Sequence, residues 1–255
     1  MEIQCEPLSL WPTTVSASTV AELATIGEGE GIDYTFYPSS LLNPATALPE
    51  ERARNADLIK RSVDLAQRLR SPELCLHPGV ATELFSLERK GVPFETDRFD
   101  REHLLDEARR RAIEAIAEWA DTAAEADLVI PIENECHVHH TVAPTAALVR
   151  EMVDATGCDN VKVNLDTGHA FINGGMEEEF IILRDHVVHI HLNDGRTPGV
   201  SEHLPLGEGL ADFAPLVPFM NTFDGALPLE IYAPERPAVA TLESRDRLNE
   251  ILASA

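Results

Sequence analysis

Five residues able to do acid–base and metal chemistry each follow a short apolar run: His77 after ELCL, Glu133 after LVIPI, Asp166 after VKVNL, His191 after HVVHI and Glu230 after LPL. Imidazole and carboxylate groups gathered in one water-poor place make a site for a divalent cation. Left without a cation, three carboxylates at close quarters repel one another and push their pKa values up. Five separate segments must then be brought together by the fold.

Runs 2–6, 32–37, 73–77, 128–133, 161–166, 186–192 and 227–232 read as strands, and 50–69, 101–126 and 143–156 as helices. Short apolar strands alternating with helices give parallel α/β architecture. Alternation within the strands says more. Val161, Val163 and Leu165 share one face while Lys162, Asn164 and Asp166 share the other, and the remaining site strands follow the same scheme. Each apolar face suits packing on outer helices. Each opposite face ends at the strand's C-terminus in Glu, Asp or His. An open doubly wound sheet places such groups at one or two strand ends, whereas five in the same phase fit a closed barrel with its site at the C-terminal rim. The predicted fold is a TIM (β/α)8-type barrel, a single domain over residues 1–255, with seven strands recognised where eight are needed.

The segments LCLHPG (74–79), IPIEN (130–134), NLDTGHAFINGG (164–175), VHIHLND (188–194), HLPLGEG (203–209) and LPLEIYAP (227–234) occur in an order and spacing that resembles the xylose isomerase-like TIM barrels. That group includes sugar isomerases and epimerases and also endonuclease IV. The resemblance implies one divalent ion (Mn, Zn, Mg or Co) held by Glu133, Asp166, His191 and Glu230. It further implies that Glu133 and Glu230 are catalytic, exchanging protons with a sugar carbon. His169 and Arg196 would face the substrate, with His77 and His203 also counted as substrate-binding. The chemistry agrees: a metal on a carbonyl and its neighbouring hydroxyl acidifies the α-hydrogen, and a carboxylate on each face can remove and return a proton. MEIQCEPLSLW resembles the group's second strand, so the first βα unit is expected either to be missing or to be unrecognisable.

The endonuclease branch carries three zincs and needs more ligands. His77, His169 and His203 sit where it has histidines, but Phe36 or Tyr37 stands where it has a further His, and Ser201 where it has an Asp. The expected function is therefore a metal-dependent isomerase or epimerase of a sugar or sugar phosphate. The alternatives are an endonuclease IV-like phosphodiesterase and a non-catalytic metal- or polyol-binding barrel.

Composition narrows the partners. The chain of 255 residues has 44 acidic against 20 basic side chains, a formal charge of −24. Its lysines are Lys60, Lys90 and Lys162. Many carboxylates with few lysines suit a halophilic protein, whose self-repulsion is screened by salt, with an acidic mesophilic protein as the alternative. Such a field repels phosphate backbones and argues against nucleic acid as a partner. A small sugar is the expected ligand, and homo-oligomerisation is compatible with the sequence. No apolar run is long enough for a membrane span, and MEIQCEPLSLWP lacks the features of a secretory signal. Four scattered cysteines without a CxxC pair suit a reducing, cytoplasmic location. His137, His139 and His140 read as a solvated loop, His189 as a core histidine, and Trp11 and Trp119 as packing residues. Glu208 is open to either a catalytic or a loop-fixing role.

Overall fold

Helix starts follow local chemistry in the computed structural model, which describes residues 1–5, 10–84, 100–136 and 140–253. His137 and His139 lie outside the described residues. Helix α1 (Ala17–Glu30) begins at Ser16, whose side chain accepts a hydrogen bond from the Thr19 amide. Helix α2 (Pro49–Arg68) opens on a proline with Glu50 and Glu51 in its first turn, where the helix dipole favours anions. Helix α3 (Arg101–Ala124) is capped by Asp100, which accepts from the amides of Glu102 and His103. Its buried stripe of Ala108, Ala112, Ile116, Trp119, Ala120 and Ala123 has helical spacing, so Trp119 is a packing residue. Helices α2 and α3 match the predicted helices 50–69 and 101–126 to within two residues.

The described chain divides into two compact units. The first, Met1–Ile132 with His139–Ala143 and Glu151–Lys162, contains α1 to α3. It also holds the parallel pair β1 (Glu2–Gln4) and β2 (Thr35–Tyr37), in the register Ile3 opposite Phe36. Beside β2 runs the segment 73–77, whose Cys75 amide donates to the Phe36 carbonyl. The same segment bridges in parallel to β3 (Ile130–Glu133), Leu76 pairing with Ile132.

The second unit, Glu133–Val138 with Pro144–Arg150 and Val163–Ala255, carries most of β4 (Val161–Asp166) and all of β5 (Val187–His191). These strands are parallel, with Asp166 opposite His191, in a sheet ordered β3-β4-β5. Helix α4 (Ala146–Thr156) matches the later part of the predicted 143–156. Helices α5 (Thr167–Asn173), α6 (Met176–Leu183), α7 (Val217–Met220) and α8 (Pro237–Leu252) complete the unit.

Two predicted strands differ from expectation. Segments 73–77 and 227–232 form isolated parallel bridges rather than continuous strands: Glu73 with Val129, Leu76 with Ile132, and Leu229 with Leu192. Proline explains the interruption. Pro131 of β3 and Pro228 have no amide hydrogen to give a ladder, although their carbonyls still accept, from the Leu76 and Leu192 amides. Among the described residues, no helix is long and apolar enough to cross a membrane.

Two predictions arise from the fold. Burial pushes the Cys5 thiol up to about 12, and Cys75 and Cys136 are buried as well, whereas Cys158 is half-buried. In native protein at pH 8 a maleimide should therefore modify Cys158 while Cys5, with a thiolate fraction of about 10⁻⁴ at that pH, stays unlabelled. Peptide mass spectrometry showing equal labelling of both would contradict that burial. The charge of −24 gives the second. Melting temperature should rise from low to molar KCl, where the Debye length shrinks to about 3 Å, and a flat profile would refute the halophile expectation.

Candidate metal centre

Strand ends and one helix start build the cluster. Glu133 ends β3, Asp166 ends β4 and starts α5, and His191 ends β5. Glu230 lies in the bridged segment beside Leu192, its amide donating to the Leu192 carbonyl. Ligand atoms of these four residues all fall within 4.8 Å of one another. Glu133, Asp166 and His191 are buried, while Glu230 keeps 24% of its side-chain surface. The His191 Nδ1 nitrogen is 3.0 Å from Glu230 Oε2 and 3.4 Å from Glu133 Oε2. One imidazole nitrogen and carboxylate oxygens thus face a common space.

Three asparagines hold these side chains. The Asn164 amide lies 3.2 Å from Glu133 Oε2 and 3.1 Å from His191 Nδ1, and its Oδ1 accepts from the His191 backbone amide. Asn134 prolongs the β3–β4 pairing with its side chain, its Oδ1 accepting from the Asp166 amide at 2.6 Å and its Nδ2 donating to the Asp166 carbonyl. Asn193 Nδ2 donates to Asp166 Oδ2 at 2.6 Å. The other Asp166 oxygen caps α5, accepting from the His169 amide at 2.7 Å. Close approach here demands Gly168: a Cβ at that position would sit 1.9 Å from Asn193 Oδ1. The DTGH sequence therefore supplies a candidate ligand, a hydroxyl bridge, a glycine and a histidine, with Thr167 Oγ1 donating to the Asn193 carbonyl and accepting from its amide.

His169 turns its Nδ1 to the Asn134 carbonyl at 2.9 Å, with Glu133 Oε1 at 3.2 Å. Burial of the ring opposes its charge, but the Asp166 carboxylate, the Glu133 hydrogen bond and Glu135 outweigh it and hold the imidazole pKa well above the usual histidine range. His203 packs edge-on against His169, ring centres 5.5 Å apart, and its Nε2 is 3.7 Å from Glu230 Oε2. Its Nδ1 pairs with the Ser201 hydroxyl at 3.2 Å.

The other sequence candidates are placed differently. Arg196 is exposed, and its guanidinium donates to the Glu208 carbonyl. His77 belongs to the first unit, where its Nε2 and the Tyr37 hydroxyl are 2.8 Å apart. His189 is fully buried, its ring packed on His191. Glu208 has a loop-fixing position, paired with Arg236. Asn134, Asn164, Asn193 and Asp194 lie within IPIEN, NLDTGHAFINGG and VHIHLND, where the ligand-type residues overshadow them. Asn164 carried a signal: it shares the Asp166 face of its strand.

Behind the cluster, Glu179 of α6 accepts from the Ala146 amide at 3.1 Å, and its buried Oε2 makes no hydrogen bond of good geometry among the described residues. Burial raises its pKa, and the Ala146 amide with the nearby Asn173 and Asn134 side chains offsets only part of that. The folded state therefore holds this proton more tightly than the unfolded chain, and stability falls as pH rises from the ordinary glutamate range through the folded value. Glu179→Gln keeps an oxygen for the Ala146 amide and removes the buried charge, so it should stabilise the protein at pH 7 by about 1 kcal/mol and flatten that part of the pH profile. Denaturant melts at pH 5 and pH 7 check both.

Residues 1–251 match the family described as the xylose isomerase-like TIM barrel, and the chain belongs to it. Its fold is that of the family. Similar solved structures include a D-tagatose 3-epimerase-like protein (TM-score 0.78, 23% identity, covering 99% of this chain and 87% of that one). An L-ribulose 3-epimerase follows (0.73, 17%, 99% and 84%), and a 3-keto-D-glucoside 4-epimerase, YcjR, from E. coli (0.72, 17%, 91% and 85%). Two uncharacterized proteins of Methanocaldococcus jannaschii, MJ1311 and MJ1614, are 24% and 22% identical over 76% and 74% of the chain. The matches span 62% and 66% of those two proteins' own lengths, less than two thirds of each.

Proposed function

We propose that the protein is a metal-dependent isomerase or epimerase of a sugar, moving a proton on and off the carbon beside a carbonyl. The observation that carries this reading is the convergence of Glu133, Asp166, His191 and Glu230 ligand atoms within 4.8 Å. The donor set fits a divalent cation: three carboxylates and one imidazole offset the cation's charge, and the cation in turn removes their mutual repulsion. When bound there, it supplies Lewis-acid polarisation of a substrate carbonyl and its neighbouring hydroxyl. The chain's own residues do the rest. Asn164 and Asn193 fix the carboxylates of Glu133 and Asp166. Glu133 and Glu230 take and return the proton, each at a carboxylate oxygen. His169 and His203, whose rings pack edge to face, orient hydroxyl groups beside them. The likeness to a D-tagatose 3-epimerase-like protein and an L-ribulose 3-epimerase supports the same class.

A single-cation centre is favoured over the trinuclear one of the endonuclease branch because Phe36 or Tyr37 stands where that branch has a His and Ser201 where it has an Asp, leaving two further zincs short of ligands. Elemental analysis of purified protein, followed by deuterium wash-in from D₂O with D-tagatose, D-allulose, L-ribulose and D-fructose, tests the reading. One ion per chain and label at the carbon beside the carbonyl are expected. Three ions, no wash-in and metal-dependent nicking of an abasic duplex would replace it with the phosphodiesterase.

A further inference from the structure

We propose that Asp194 is a positioning residue: its buried carboxylate clamps the loop 195–211 and so holds His203 beside Glu230. The proposal rests on the sugar chemistry above only for its kinetic readout. Asp194 lies three residues beyond His191, at the end of the HIHLND run, and is 2% exposed. All four carboxylate lone-pair sites are used by backbone amides. Oδ1 accepts from Gly195 at 2.9 Å and Ala211 at 3.0 Å, and Oδ2 from Gly207 at 3.0 Å and Gly209 at 2.9 Å. Its own amide and carbonyl pair with the carbonyl and amide of Leu204, both at 2.8 Å. One residue therefore ties the start, middle and end of the loop to the strand that supplies His191.

The LGEG sequence is shaped for this task. Gly207 adopts φ +88°, and a Cβ on Gly209 would lie 2.2 Å from Asp194 Oδ1 and 2.4 Å from the Gly195 carbonyl oxygen. Backbone can reach the carboxylate this closely only where no side chain intervenes. His203 is next to the Leu204 bridge, has φ +47°, and accepts from the Tyr232 amide at 2.6 Å. Loosening the clamp therefore frees the residue that faces Glu230, while Glu133, Asp166 and His191 keep their own asparagine supports. Asn cannot substitute for Asp194. Its single carbonyl oxygen serves half of the four amides and presents an NH₂ group to the rest.

Asp194→Asn and Gly209→Ala, made in the full chain, test the clamp through three readouts. Hydrogen–deuterium exchange across 195–211 should quicken by at least about tenfold in both variants, with α2 unchanged. Water-proton relaxation by bound Mn²⁺ should rise as the site opens to solvent, with Mn²⁺ affinity retained. For any ketose the wild type turns over, KM should rise by about tenfold or more while kcat changes less. Unchanged exchange in both variants overturns the clamp. Faster exchange with unchanged relaxation and unchanged KM overturns the positioning role and leaves only a structural one. Should Asp194→Asn open the whole chain, Gly209→Ala decides. A wild type that turns over no ketose counts against the proposed function alone, because exchange and relaxation need no substrate.

Discussion

Asp166→Ala is expected to abolish metal binding. Asp166 is fully buried, and both of its oxygens are already directed: Oδ1 by the His169 amide and Oδ2 by Asn193. Removing even an outer partner of a metal ligand costs about 10–100-fold in affinity, so deleting a ligand from a four-residue set should take binding below detection in calorimetry. The alanine also removes the cap of α5, worth about 1 kcal/mol, and leaves the Asn193 amide facing a void. Asp166→Asn separates these effects, because its carbonyl oxygen can keep the cap while the charge is lost. His140→Asn, in a residue with φ +56° that asparagine tolerates, should bind metal as the wild type does. Equal losses in Asp166→Asn and His140→Asn would show that the cation lies elsewhere.

Glu133→Gln and Glu230→Gln should each lower deuterium wash-in by at least about 10²-fold, the smaller end of what a positioned acid or base contributes. Both variants keep the side-chain shape and remove the proton acceptor. Each also weakens the cation site, so the assay belongs at saturating Mn²⁺, with occupancy measured in the same samples. The two losses should differ in origin. Glu133 is buried between Asn164 and His169, whereas Glu230 is open enough to solvent to exchange its proton with water. Full wash-in by either variant at full occupancy would remove that carboxylate from the acid–base pair.

The convergence of Glu133, Asp166, His191 and Glu230 was legible in the sequence because side-chain direction in a strand is local. Period-two alternation puts Asn164 and Asp166 on one face whatever the strand pairs with, and it does the same for His189 and His191. Family membership and fold followed from motifs lying at those strand ends. Caps and helical stripes gave α2 and α3 for the same local reason. Helix α1, with Gly27 and Gly29 near its end and little of it buried, has a weak pattern, and α5 to α8 are short or carry few buried residues, so tertiary packing decides them.

What the tertiary structure alone decided is pairing between distant residues. Asn134 reaches Asp166 across 32 positions, and Glu179 reaches Ala146 across 33. Asp194 gathers amides from Gly195 to Ala211, a choice its sequence neighbours do not announce. Even the ladders were out of reach, since Pro131 and Pro228 withhold an amide from pairings whose side-chain pattern is still that of strands. Sequence periodicity reports which way a side chain points. Which partner it meets depends on the register between segments, and only the folded chain sets that.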